Sequence, residues 1–466
     1  YLDRLEQALA SRGLRRRLYV MQSTGGCLTT GILRKIPVEM IESGPAAGVL
    51  AAAHIGRLTG HSGVISFDMG GTTAKAGIIE AGEPRVVPRF QAGEWLLGIP
   101  SLDLVEIGSG GGSIAATDKN RMLKVGPQSA GADPGPACYS WGGQAPTVTD
   151  ADLALGWLNP DYFLGGKIPL DLDAAEGAIR SQVAGPLGID LIAAADGIVK
   201  IVNSQMVEAL RLVTVSRGED PRDYVMVAFG GAGPVHAAQL AEELNIPRVI
   251  VPLVPGVFSA MGLLVSNLKR DYIQTHLAPL EDVVASDVQA RFEAMAAAAH
   301  QELEGEGIPA DQIRCERALD LRYNIQKYEL TVPVADGSLR EGDNKEWRRL
   351  FDDRHEQYYG TRASDQGVEI VCYRLTARVA LPTPTLHEFT GSGESPQAAL
   401  TGHRRTYFNS WLDCPIYARE LLACGNRMPG PAIIEQVDCT IVIPPGQEGQ
   451  VDRFGNVVID VTGGKA

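Results

Sequence analysis

The stretch ISFDMGGTTAKAGII (65–79) places the tightest constraint on how this chain can fold. Two apolar runs flank a short loop of small residues, which predicts two consecutive strands joined by a tight turn, with Asp68 closing the first strand. This is not a phosphate loop between a strand and a helix, and the pattern GxxxxGK followed by Ser or Thr occurs nowhere in the chain. Gly70 and Gly71 let backbone N–H groups approach an anion closely, Thr72 and Thr73 add hydroxyl donors, and Lys75 adds charge. Asp68 is well placed to hold Mg²⁺, directly or through water, beside bound phosphates. The alternative is a plain Gly-rich turn in which Asp68 acts as a local cap.

A second glycine cluster lies in YVMVAFGGAGPVHAAQLAEEL (224–244), read as a strand, then Gly230, Gly231 and Gly233, then a helix starting near Pro234. Proline suits a first helical turn, and the free N–H groups there attract anions or a nucleotide. A dinucleotide fingerprint is not met, because Gly231 and Gly233 are followed by His236 rather than by a third glycine. His236 reads either as a hydrogen-bonding residue of the helix start or as a catalyst. A third cluster, IGSGGGSIAATD (107–118), again follows an apolar run. One such cluster is a flexible turn. Three of them carry chain entropy that something needing backbone access must offset, and a nucleotide is the natural candidate.

The segment SAGADPGPACYSWGG (129–143) carries Asp133 and Cys138, and PTVTDADLALG (146–156) carries Asp150 and Asp152. Together with His236 these could hold a metal, yet the spacing matches no zinc pattern and a structural loop is the simpler reading. Neither GxSxG nor HExxH is present, which removes support for serine-hydrolase and zincin chemistry. The seven cysteines are scattered and lack CxxC spacing, arguing against a disulfide framework and for a reducing, cytoplasmic compartment.

With 466 residues the chain exceeds what one core normally serves, so two or three domains are expected. Its net charge of −14 argues against a nucleic-acid or anionic-membrane surface. The one basic cluster, RGLRRRL (12–18), reads as a solvated helix end, and no stretch reads as a membrane span. Strands and helical periodicities alternate through residue 268, which predicts an α/β domain over 1–268, including a long helix at 192–212. An α+β module is expected over 269–383, with helices at 286–304 and 347–359 around a strand at 317–332. After the Pro/Gly/Ser-rich stretch at 381–397, a small β-rich C-terminal domain is expected over 384–466.

Seven collinear segments, SGPAAGV (43–49), DMGGTTAK (68–75), GSGGGSIA (108–115), SAGADPGPACY, PTVTDADLALG, FGGAGPVHA (229–237) and GPAIIEQ (430–436), together resemble the hydantoinase A / 5-oxoprolinase family over nearly the whole chain. The resemblance implies an actin-like ATPase fold with ribonuclease-H-like halves closing on Mg-ATP. Asp68, Gly70, Gly71, Thr72 and Thr73 would then form the second phosphate loop, and Gly230, Gly231 and Gly233 the adenosine motif. Family members carry a similar Asp-Gly-Gly-Thr loop near their N-terminus, and Tyr1 aligns well inside such proteins, so an N-terminally truncated subunit is expected. Ile325 stands where the family pattern has glycine, and Cys439 where it has threonine. The implied chemistry is ATP-dependent opening of a cyclic amide or imide of the 5-oxoproline or hydantoin type, using ATP and Mg²⁺, with Asp68, Thr72 and Lys75 as catalytic groups and a B-type subunit completing a hetero-oligomer. The alternatives are a subunit of an ATP-dependent ketone (acetone or acetophenone) carboxylase and a non-catalytic nucleotide-binding module.

Overall fold

The computed structural model describes residues 1–14, 16–87, 89–92, 94–391 and 393–461, and divides the chain into two compact units: 1–43 with 265–383, and 44–264 with 384–466. Arg15 of the basic cluster, Ser392 of the expected linker and the tail at 462–466 lie outside the described residues.

In the first unit a six-stranded sheet runs in the order Tyr19–Met21, Cys27–Thr29, Leu268–Pro279, Val368–Val379, Ile313–Tyr323, Leu330–Val334. The helix Ala285–Gly305 buries Val288, Phe292, Met295, Ala299 and Leu303, a stripe at helical spacing that closes one core with Phe351 and Trp347 of the helix Asp343–Tyr359. The single strand expected at 317–332 is two strands, because the Gln326 N–H turns back to the Tyr323 carbonyl at 2.9 Å and breaks the run.

The second unit is built on the glycine hairpin. Val64–Met69 and Ala74–Glu80 pair antiparallel, as the two apolar runs around the turn predict, with Asp68 opposite Lys75. Val225–Phe229 lies parallel to Val64–Met69, and Arg248–Val251 lies parallel to Val225–Phe229. Leu104–Ile107 pairs antiparallel with Ala74–Glu80 on the other side. The period of two sorts the side chains: Ile65, Phe67 and Met69 enter the core with the long helix Leu191–Val213, while Val64, Val227 and Phe229 face the helix Ser43–Thr59. Asp68 therefore shares the face of Val64.

These units cut the chain differently from the three expected segments, for a reason that periodicity does not carry. Cys27 pairs with Leu268, which draws the N-terminal segment into the first unit. Val457–Asp460 pairs antiparallel with Arg248–Val251, so three C-terminal strands extend the sheet of the second unit, while Leu400–Tyr407, Trp411–Ala418, Ala432–Gln436 and Cys439–Ile443 form a four-stranded sheet of their own within that unit. Among the described residues no helix is long and apolar enough to cross a membrane.

Candidate functional site

Two of the glycine clusters lock into one another. The Gly111 N–H donates to the Gly70 carbonyl at 3.0 Å, and the Gly112 N–H donates to the Gly71 carbonyl at 2.6 Å. Only glycine permits this approach: a Cβ on Gly110 would stand 2.7 Å from the Gly71 carbonyl carbon. Within the third cluster, Gly110 N–H goes to Ser113 Oγ and the Gly111 carbonyl accepts from Thr149. Its amides are spent, so this cluster braces the hairpin instead of cradling an anion itself. The hairpin's own turn is held by the Gly70 N–H to the Thr73 carbonyl at 3.1 Å. With its carbonyls occupied, the loop leaves the N–H groups of Gly71, Thr72 and Thr73 without acceptors among the described residues. Thr72 is exposed and Thr73 half-buried.

The third strand end arrives beside this loop. Gly230 donates to the Pro255 carbonyl, and Ala232 donates to the Met69 carbonyl at 3.0 Å, which ties the start of the helix Gly233–Glu243 to the hairpin. Gly231 and Gly233 leave that helix start free of side chains next to the loop, and Gly70, Gly71 and Gly231 line one cavity of about 200 Å³. Its opposite wall is largely apolar, with Tyr139, Leu158, Phe163 and Val437, and Cys439 also reaches it. The cavity is therefore mostly apolar surface with glycine backbone at one side, a combination suited to an anionic ligand with a flat apolar body.

Asp68 does not line this cavity. It sits on the other face of its strand, largely buried, where burial pushes its carboxyl above the usual value and the nearby Lys75 ammonium pulls partly back. Lys75 in turn lies 3.3 Å from Glu106 on the neighbouring strand. The expected group of Asp68, Thr72 and Lys75 is thus spread along the hairpin, Asp68 and Lys75 side by side at its edge and Thr72 at its tip. From that face Asp68 would offer Mg²⁺ a single carboxylate oxygen, the ion keeping most of its shell for water and phosphate oxygens.

The loop around Asp150 is structural where a metal site was weighed. Asp150 accepts from the N–H groups of Ala137, Cys138 and Thr147, closing a capping box with Thr147 at the start of the helix Val148–Ala154. Burial first, and then Asp150, hold the Cys138 thiol far above its ordinary value, so it stays protonated. No cluster of three metal-ligating side chains occurs among the described residues. Of the two departures from the family pattern, Ile325 lies exposed in the turn that splits two strands, and Cys439 is buried at the cavity. Sequence reasoning passed over Tyr139, Phe163 and Thr149; only the last had a local signal, lying next to the Thr147 cap.

Comparison with known proteins agrees with this architecture from end to end. The Hydantoinase/oxoprolinase family model matches residues 1–272, and the Hydantoinase/oxoprolinase C-terminal domain model matches 280–457. The chain is 34% identical to the caprolactamase subunit alpha of Pseudomonas jessenii over 97% of its own length and 66% of that protein's. It is 33% identical to the acetophenone carboxylase gamma subunit of Aromatoleum aromaticum, over 97% of its own length and 63% of that relative's. The crystal structure of ATP-dependent caprolactamase from Pseudomonas jessenii superposes with a TM-score of 0.86 at 32% identity, covering 99% of this chain and 67% of that one. Nucleotide-free acetone carboxylase superposes with a TM-score of 0.82 at 28% identity, covering 98% of this chain and 66% of that one. The chain spans about two thirds of the length of these relatives. On the family match across both units, the chain belongs to the hydantoinase/oxoprolinase family.

Proposed function

We propose that this chain is the nucleotide-binding part of an A-type subunit that opens a cyclic amide or imide at the expense of ATP. One observation carries the reading: the loop 70–73 keeps its amides open because the Gly110–Gly112 segment occupies its carbonyls, and the Gly231 helix start shares the same cavity. The sheet order, with three antiparallel strands followed by two parallel ones, supports an actin-like ATPase unit of the ribonuclease-H-like type.

Unactivated amides resist water. In the proposed reaction the γ-phosphoryl group passes to the amide carbonyl oxygen, breaking its bond to ADP. A first water adds to the carbon and the ring C–N bond breaks, leaving an acyl phosphate, which a second water cleaves to the carboxylate and phosphate. The amides of Gly71, Thr72 and Thr73 hold and orient phosphate oxygens, and Thr72 adds a hydroxyl at the loop tip. Asp68 would hold Mg²⁺ through oxygen, and the ion would supply charge neutralisation at the phosphates. Lys75 partly offsets the burial that raises the Asp68 carboxyl and adds positive charge at the hairpin edge. A B-type partner subunit completing a cytoplasmic hetero-oligomer belongs to the same reading.

A carboxylase role is the second reading, favoured by the similarity to acetone carboxylase, in which the same unit would phosphorylate bicarbonate or an enolate. The test is ADP release by the protein at its full natural length, co-produced with its B-type partner, with 5-oxoproline, N-methylhydantoin, ε-caprolactam, or acetone plus bicarbonate. Stimulation by a cyclic amide is the expected result. Stimulation by the ketone with bicarbonate alone would replace the proposal with the carboxylase, and silence with all four would overturn both.

A further inference from the structure

The cavity wall holds a buried pair that phosphate binding does not use. Asp152, on the helix Val148–Ala154, lines the cavity and is only 3% exposed. His236, in the helix Gly233–Glu243, is wholly buried, with Nε2 3.5 Å from Asp152 Oδ2 and Nδ1 2.9 Å from Asn203 Oδ1. Asp152 Oδ1 and His236 Nε2 are both buried without a hydrogen-bond partner. Native interiors seldom leave two such atoms on one pair of residues, because each costs its full desolvation.

Asn203 decides which ring nitrogen is protonated. Its amide nitrogen donates to Gln239 Oε1 at 2.7 Å, so its carbonyl oxygen is the atom turned toward the imidazole and requires an N–H on Nδ1. A neutral ring then presents the bare Nε2 lone pair to a carboxylate oxygen. Two acceptors at that separation repel unless one proton lies between them. The other titratable groups facing the pair are Cys138, which interacts with both Asp150 and Asp152, and Asp150 itself. Asp150 is consumed by its capping bonds, and the thiol stays protonated, so neither can supply or remove that proton. The edge of Trp157 closes the remaining side of the imidazole.

We propose that Asp152 and His236 hold one shared proton at the wall of the glycine cavity, and that Asp152 Oδ1 exchanges it with an O–H or N–H group of the bound reactant. In the ring opening described above, on which this catalytic role rests, the attacking water loses a proton and the departing ring nitrogen gains one. Asp152 takes the first and returns it to the second, leaving the pair as it began. Asp152 is then a catalytic residue, and His236, held by Asn203 and Gln239, is its positioning residue.

The proton arrangement is read first, without any turnover. Ring-¹⁵N-histidine spectra of the chain contain eight histidines, and His236 is assigned by the signals lost in His236→Gln. A proton on Nδ1 is expected, together with a displaced Nε2 resonance in Asp152→Asn. The variant Asn203→Leu, which removes the acceptor without adding charge, should release the ring to a mixture of tautomers. A proton fixed on Nε2, or ring resonances indifferent to Asp152→Asn, would overturn the inference. In the complex with its partner subunit, Asp152→Asn should lower kcat about 100-fold while KM for ATP moves by less than about threefold. An active wild type with an equally active Asp152→Asn would sink the role of Asp152 and leave the ring-opening reading intact. A wild type that releases no ADP with any substrate would sink that reading, and the spectra would still decide the shared proton.

Discussion

Gly230 presses its backbone against Asp68: at φ +81°, a Cβ on Gly230 would stand 2.6 Å from Asp68 Oδ1 and 2.4 Å from the Met69 carbonyl oxygen. The glycine is needed twice over, for a backbone conformation that L side chains rarely adopt and for space that the neighbouring strand already fills. Gly230→Ala should therefore cost about 2 kcal/mol of stability or more, since the Met69 carbonyl is backbone and cannot swing aside. Urea denaturation curves of the two proteins measure it, and equal midpoints would refute the packing described.

Asp68 itself trades stability for chemistry. Burial raises its carboxyl above the ordinary value of 3.8, with Lys75 opposing. A carboxyl raised in the folded state binds its proton more tightly there than in the unfolded chain. Its ionisation therefore removes stability as pH rises through the unfolded value toward the folded one, and none is lost below both. Asp68→Asn should raise Tm at about pH 7.5, with the gain gone near pH 3, while ATP turnover by the complex falls at least about 100-fold. Calorimetry at the two pH values, paired with an ADP-release assay, checks both halves. A variant of ordinary turnover would remove Asp68 from the reaction.

The brace between glycine clusters makes a separate prediction. A methyl group on Gly110 cannot be accommodated against the Gly71 backbone, so Gly110→Ala must push the 70–73 loop out of place. Since Gly110 lies in a buried loop outside the sheet and the Asp68 strand is anchored by its own ladder, nucleotide affinity should suffer more than folding. At least about a tenfold rise in the Kd for ATP is expected, as oriented amides are the loop's main contribution. Isothermal titration with ATP and Mg²⁺ reads it, and unchanged affinity would mean that the loop does not contact phosphate.

What the sequence disclosed was local. The hairpin at 64–80 was legible because apolar runs on both sides of a short glycine loop have few other solutions. The helix Leu191–Val213 was legible through apolar spacing, and Ala285–Gly305 through its charged, Ala-rich composition. The role of Gly110–Gly112 was not, since whether glycine amides are open or spent depends on hydrogen bonds to Gly70 and Gly71 from a distant part of the chain. The same holds for the partition into units, which rests on Cys27 meeting Leu268 and Val457 meeting Val251. Asp152 and His236 were visible as residue types, but nothing in their spacing shows that Asn203 sets the tautomer of the ring between them.

The first unit offers a test that no nucleotide chemistry can confuse. Asp320 is 2% exposed on the strand Ile313–Tyr323 and accepts from Thr331 Oγ1 at 2.6 Å and from Arg374 Nη2 at 2.8 Å. Arg374 also attracts the buried Asp271 nearby, so one guanidinium steadies two carboxylates in the sheet. Arg374→Leu leaves Asp320 charged, buried and supported by a single hydroxyl, a loss of about 3–5 kcal/mol by the behaviour of broken buried pairs. Adding Asp320→Asn to that variant removes the stranded charge and should recover at least about half of the loss, because the unpaired ion, rather than the missing attraction, carries most of the cost. Urea midpoints for wild type, single and double variants form the measurement. A double variant no more stable than the single one would place the cost in lost packing of the arginine stem instead.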